Sequence, residues 1–549
     1  MRIILKIFCP LLILVMLMSM AITQAKKPDN KPGKIIFIPH DNRPISDRQT
    51  AEVIEKLGYE VIVPPDEMLG GRNTLGDPEL LWEWLALNTT KEIQAAVIST
   101  DSMLYGSLVG SRKHDLSQQV LLERAERFKE FRKEHKKLPL YVFGSIMRTP
   151  RTGEASGYME PEYYRAYGSD IFRYTELRDK QEMDGLTPRE MKEMEFLSKL
   201  IPTRAINDWM DRRSKNLNAS RRLIDLAKSK TFNYLLLGRD DNAPYSQTHL
   251  ESRYLQKYGE ALGKDKYQAI TGTDELAMLL LTRAINEREQ KSPTVFTKYN
   301  WGRGGATIPS YSDETIENSI NSAISVTGGQ KAKSLEQADV VLAVNTNPNG
   351  KTSEANYIEN DGKDREGTRY FAEVVEEYIK KGYPVAIADI AFANGSDNAL
   401  MEQLRKRDLL FKVKAYSGWN TATNSTGFVI STGMLAKRMS NNAIDDLLVT
   451  RYLDDWAYQA NVRNVVARQL TWLRGDGFYG SLDDKRDAVS TRATKMLNSF
   501  VAGNLPPFAG SDNLLVIFPW NRMFESKILI GEDAIEEIEN SQPHINREE

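Results

Sequence analysis

The chain has 549 residues, 41% hydrophobic and 27% charged, with a formal net charge of −2. It is a globular composition, too long for one ordinary core, and it lacks the basic stripe of an electrostatic nucleic-acid binder. Its single cysteine, Cys9, falls in a leader-like segment, which excludes disulfides, cysteine nucleophiles and thiolate metal sites from the rest of the chain.

In chain order, Arg2 and Lys6 accompany an almost wholly apolar run, Ile7–Ile22, and Thr23-Gln24-Ala25 offers a small-residue exit. The pattern predicts a secretory signal peptide over 1–25 and a secreted or cell-surface protein, with an uncleaved N-terminal anchor as the other reading. A polar linker follows at 26–34. From Ile35, short apolar runs alternate with amphipathic stretches: strand Ile35–Ile38, helix Asp47–Leu57, strand Glu60–Val63, helix Pro78–Leu87, strand Ala95–Ser99, helix Leu116–His135 and strand Leu138–Ile146. Residues 149–204 interrupt this rhythm and read as a helical insertion over the strand ends, with Thr187-Pro188 at a helix start. Alternation resumes with helix 204–228, the strand that opens Tyr234–Pro244, helix 247–262, strand 267–271, helix 274–289 and strand 294–299.

Trp301–Gly305 is the expected boundary. Beyond it come helix 313–325, strand Val340–Asn345, a long polar loop from Thr346 to Gly367, helix 368–381, strand 384–390, helix 397–406 and strand 410–416. A helical tail over about 420–505 and a late strand, Leu514–Phe518, complete the chain, and no internal sequence repeat is evident. The expected architecture is α/β: two mainly parallel, doubly wound domains (35–300 and 301–440) facing a cleft, with a helical C-terminal region (441–549). A β/α barrel followed by a smaller α/β domain is the alternative.

The chemistry concentrates where apolar strands release polar residues, the edge at which ligands bind in parallel sheets. The most concentrated case is Arg239-Asp240-Asp241-Asn242. Neighbouring residues on an extended backbone point in opposite directions, so Asp240 and Asp241 need not form one dyad, and a carboxylate pair would span different strands. Asp101, Asp274, Glu275 and Asp389 are the available partners, each of which could instead cap a helix. Arg43, in Asp41-Asn42-Arg43-Pro44, is suited to clamp an anion or to pair with Asp. Arg112, Arg148 and Arg239 lie near other strand ends and suggest a cationic lining. Tyr105, Trp301, Trp419 and Trp520 sit beside turns and could face sugar rings or cover core. Asn420 and Asn424 fall one turn apart at a helix start, which would aim two amides at one spot. His40 is a candidate acid or base, although a lone histidine near a strand end is more often structural. The five histidines show no zinc spacing, and no Walker loop, nucleophile elbow or dinucleotide fingerprint is present. No cofactor is predicted, and a calcium or magnesium site of Asp and Asn oxygens stays open.

The segments IPHDNRP, STDSMLYGSLVGSR, LLLGRDDNAP, TGTDE and AYSGWNTATNSTG, in this order from about Ile35 to Trp520, resemble the bacterial family catalogued as domain of unknown function 4127. Members typically read Pro-Leu-Asp-x-Arg-Pro where this chain has Pro39–Pro44. They also carry glycine and threonine where it has Thr423 and Ser425. The resemblance implies a shared site without naming a reaction. From the residues, the expectation is an exported hydrolase of a carbohydrate or glycoconjugate, most readily a glycoside hydrolase. Its catalytic acids would come from Asp240, Asp241, Asp101, Asp274 and Glu275. Asp41, Asn42, Arg43, Tyr105, Arg148, Arg239, Asn242, Trp419, Asn420 and Asn424 would bind the small-molecule or oligosaccharide substrate. An exported solute-binding protein and a metal-dependent hydrolase or lyase are the rivals. Neither a nucleic-acid partner nor a stable membrane span after signal cleavage is expected.

Overall fold

The computed structural model describes residues 32–153, 159–470 and 478–541. The signal-peptide segment, most of the linker and His544 lie outside the described residues. Six strands form the first sheet: β1 (Lys34–Ile38), β2 (Glu60–Ile62), β3 (Ile93–Ser99), β4 (Leu140–Ile146), β5 (Tyr234–Arg239) and β6 (Tyr267–Thr271). They lie in the order β2-β1-β3-β4-β5-β6, and every pair is parallel.

The second sheet takes up its first strand, β7 (Thr294–Tyr299), ahead of the Trp301–Gly305 turn, and continues with β8 (Gln330–Lys331) and β9 (Val340–Asn345). Within the long polar loop a short strand, β10 (Ser353–Glu354), forms, and β11 (Val385–Asp389), β12 (Phe392–Ala393) and β13 (Ala415–Ser417) follow. The order is β13-β11-β9-β7-β8, again all parallel, while β10 pairs separately with β12. Both sheets are open, so the fold is doubly wound α/β and the barrel alternative is not realised.

Burial explains the strand patterns. All six residues of β5 are buried, as a continuous apolar run demands of a central parallel strand. Gly238 within it is required by contact: a Cβ there would lie 2.2 Å from the Gly272 carbonyl oxygen and 2.6 Å from Leu276 Cδ1. The sheets meet through two helices, Leu276–Arg288 and Ala422–Ala436, which are buried nearly all round, as expected of helices enclosed on every side. One apolar cluster joins Phe37 and Val97 of the first sheet, Leu279 and Leu280, Val429 and Ile430, and Val340 and Leu342 of the second. A single core therefore runs through both sheets.

The insertion forms two helices, Tyr164–Met183 and Pro188–Leu200, the second opened by a capping box between Thr187 and Glu190. The tail runs through Asn441–Arg451 into an 11-residue π-helix, Tyr452–Val462, and on to Arg486–Asn504 and the antiparallel pair β14 (Leu514–Ile517) and β15 (Lys527–Ile530). The strand expected at 410–416 is confined to Ala415–Ser417. The apolar residues ahead of it, Leu409, Leu410 and Val413, are buried in the outer core of the second sheet, so their hydrophobicity anchors a turn rather than a ladder. Among the described residues no helix is long and apolar enough to cross a membrane.

Candidate active site

The carboxyl ends of the first sheet's strands are linked one to the next. After β1, His40 Nδ1 donates to Asp101 Oδ2 at 2.9 Å, and its Nε2 faces the Thr273 carbonyl oxygen at 3.0 Å. With an acceptor on each side both nitrogens donate, which is the imidazolium form. Burial works to neutralise the ring, but Asp101 and then Asp41 outweigh it and hold the pKa above its ordinary value. Asp101 also accepts from the Ser145 amide and hydroxyl, both at 3.0 Å. His40 and Asp101 are 1% and 0% exposed, so this pair ties β1, β3, β4 and β6 together.

Arg43 forms the next link. Its Nε donates to both Asp41 oxygens at 3.0 Å, and its Nη2 reaches Asp274 Oδ1 at 2.7 Å. Burial raises the Asp41 carboxyl, but the Arg43 charge and hydrogen bonds prevail and pull it below the usual range. Asn420 Nδ2 and Asn424 Nδ2 donate to Asp274 Oδ2 at 2.9 and 3.3 Å. The two amides thus converge on the carboxylate at the end of β6, although Asn420 stands before the helix rather than one turn back on it. Thr421 caps the helix that carries Asn424, while the Gly418 amide donates to Asp455 of the π-helix at 2.7 Å. These contacts fix the turn from which Asn420 projects.

At the end of β5, Arg112 Nη2 meets Asp240 Oδ2 at 2.5 Å, and Arg148 bridges Asp241 Oδ2 at 2.8 Å and Glu160 Oε1 at 2.7 Å. The Asp241 side chain is 31% exposed. Its pKa is raised, by burial first and by the Asp240 charge second, against the pull of Arg148 and Arg112.

Asp41, Arg43, Arg112, Arg148, Arg239, Asp240, Asp241, Asn242, Asp274, Asn420 and Asn424 all line one cavity of about 340 Å³, within the range of small-molecule sites. Tyr311, Asn394, Tyr479, Trp520, Arg522 and Glu525 complete much of its wall. Four of its residues, Asp241, Tyr311, Asn394 and Asn420, hold positive φ angles of 30°, 65°, 62° and 57°. A strained backbone of this kind persists only where the surroundings enforce it, and it concentrates at functional sites.

Other expected residues stand elsewhere. Asn42 lies behind the wall, where its Oδ1 accepts from Trp520 Nε1 at 2.8 Å. Tyr105 is buried and stacked on His114 at 5.1 Å. Trp419 is buried in the shared core beside Phe524, so both aromatics cover core rather than ligand. Asp101 is consumed by His40 and Ser145. Glu275, wholly buried, has its pKa pushed up to about 8 by desolvation, and Asp389 belongs to the second sheet. The cationic lining is also offset: Arg43, Arg112, Arg148, Arg239 and Arg522 each face a carboxylate.

Sequence reasoning missed Tyr311, Asn394, Tyr479 and Glu525. It also missed Glu354, which accepts from Tyr311 OH at 3.1 Å and Asn394 Nδ2 at 2.7 Å. The unusual length of the loop containing Glu354 was the available signal. Among the described residues no group of three or more His, Asp or Glu side chains could hold a metal ion. A family model described as "Protein of unknown function (DUF4127)" matches residues 35–529. No curated protein matches the chain.

Proposed function

The chain belongs to the family of unknown function DUF4127, and we propose that it is an exported glycoside hydrolase whose reaction takes place in the cavity at the first sheet's edge. Export rests on the leader pattern of residues 1–25. The observation that carries the reaction is the unequal setting of two carboxyls on the same wall. Asp241 is open to the cavity with a raised pKa, whereas Asp274 is held by Arg43, Asn420 and Asn424. Two carboxyls set differently on one wall, one open and one held by donors, suit the acid and the nucleophile or base of glycosidic cleavage.

In this reading Asp241 gives its proton to the leaving-group oxygen as the C–O bond breaks. Asp274 works on the anomeric carbon, either as the nucleophile or as the base for an attacking water. The alternation of paired arginines, carboxylates and amides suits hydroxyl groups, which donate and accept at once. A solute-binding protein that closes two lobes is less well supported, because one apolar core runs through both sheets.

The test is product release from a panel of glycosides and glycans by purified residues 26–549. Release that is lost in both Asp241→Asn and Asp274→Asn supports the assignment, and the anomeric configuration of the first product separates nucleophile from base. A thermal shift without product would replace it with the binding-protein reading.

A further inference from the structure

The exposed aromatic residues are unevenly spread. Trp301 is 51% exposed, Tyr311 39%, Tyr357 55% and Tyr370 43%, and all four lie in or just after the loops that leave β7 and β9. These loops run side by side. The Arg303 amide donates to the Pro348 carbonyl at 3.1 Å, Ser310 Oγ to the Thr352 carbonyl at 3.3 Å, and Tyr311 OH to Glu354 at 3.1 Å. Tyr357 follows in the turn closed by its amide on the Glu354 carbonyl at 3.0 Å. At the far end the Trp301 ring lies against Gly367, where a Cβ would come within 2.3 Å of Nε1. At the near end Tyr311 is itself part of the cavity wall, and its carbonyl accepts from the Asn242 amide at 3.1 Å, beside Asp241. The two loops therefore make one ledge, aromatic and polar by turns, that leads into the cavity.

We propose that this ledge binds the sugar units flanking the cleaved bond, so that the substrate is a neutral glycan chain rather than a small glycoside. Resting on the glycosidase reading for what the cavity holds, the inference adds what lies outside it. A cavity of about 340 Å³ encloses few sugar rings, and a longer chain must continue over neighbouring surface. Aromatic faces offer the apolar sides of sugar rings a flat partner, and the intervening Asn347, Asn349 and Ser353 offer hydrogen bonds to their rims. The pairing of Arg43, Arg112, Arg148, Arg239 and Arg522 with carboxylates favours a neutral chain over an anionic one.

The experiment measures affinity by calorimetry in the full chain carrying Asp241→Asn, which separates binding from cleavage. The probes are neutral oligosaccharide ladders of the β-glucan, xylan, chitin and starch types, from two units to eight. The expected result is affinity that rises with length in one ladder. Adding Trp301→Ala or Tyr357→Ala should then remove about tenfold of that gain each. Phe196→Ala, at an equally exposed aromatic on the insertion, should remove none. Affinity independent of length, an equal loss in Phe196→Ala, or no binding by any ladder would overturn the ledge. Length-dependent binding with no cleavage by the unsubstituted chain would uphold the ledge and overturn the glycosidase.

Discussion

In the first sheet β1 lies between β2 and β3, and the later strands are added outward beyond β3. In the second, β7 lies between β8 and β9, and β11 and β13 are added outward in the same way. The two strand orders correspond, yet the carboxyl edges are used differently. Along the second edge, Asn300 donates to Asn345 at 3.0 Å, Asn345 to Asp389 at 2.9 Å and to Asp397 at 3.1 Å, and Tyr416 OH to Asp389 at 2.7 Å. Asn345, Asp389 and Asp397 are each 1% exposed, so this network closes on itself. Along the first edge, the same kind of cross-strand linkage leaves Asp241, Asp274 and their neighbours on the wall of a cavity. A polar strand end is therefore weak evidence of a site until its side chains are shown to face open space.

The comparison breaks if the two edges respond alike to substitution. The largest effect is expected from Asp241→Asn: turnover of the identified glycan should fall about 100- to 10,000-fold, as for loss of a general acid. Its melting temperature should hardly move, because Arg148 keeps Glu160. Asn345→Ala should do the reverse. It strands several buried partners and should cost about 2–4 kcal/mol in denaturant unfolding, while the folded fraction keeps its KM and kcat. Loss of activity without loss of stability there would make the second edge a site as well.

Two smaller effects sharpen the contrast through pH. Asp389 has its pKa pushed up to about 7, by burial first and Asp397 second. A carboxyl raised on folding adds stability below its unfolded pKa and loses that contribution as pH rises through the folded value. The melting temperature should therefore decline from about pH 4 to about pH 7, and Asp389→Asn should lessen the decline, to which the raised Asp47 and Asp455 also contribute. At the first edge the readout is rate: activity should fall as pH rises through the pKa of Asp241. Asp240→Asn removes a charge that raises this pKa, so the basic limb should move to lower pH. A limb that stays in place would remove Asp241 from the role of acid.

Much of the fold is legible in the residues. β6, β7 and β9 lie at the residues expected of them: β9 is buried throughout, as its unbroken apolar run requires, whereas β7 is mostly half-buried and mixes Thr and Lys with its apolar residues. The insertion is legible from its broken alternation and from Thr187-Pro188. The expected strand at 410–416 is not, since Leu409 and Leu410 are equally suited to a ladder and to a core-anchored turn. Within the site, Asn420 and Asn424 converge, but not through helical periodicity: Asn420 lies ahead of the Thr421 cap with a left-handed backbone, and their target, Asp274, comes from the other sheet. Trp419 and Tyr105 read as ligand platforms, and both are core, because side-chain type does not reveal which way a ring faces.

By itself the sequence determined what short-range physics controls: parallel strands with polar exits, a helix start at Thr187, and an acid-rich turn after β5. The tertiary structure decided which exits remain open. That outcome depends on how the buried helices Leu276–Arg288 and Ala422–Ala436 set one sheet against the other, and on which arginine reaches which carboxylate across more than a hundred residues of chain, as Arg112 reaches Asp240. Contacts of that separation are fixed by packing and burial over the whole core, and no local pattern encodes them.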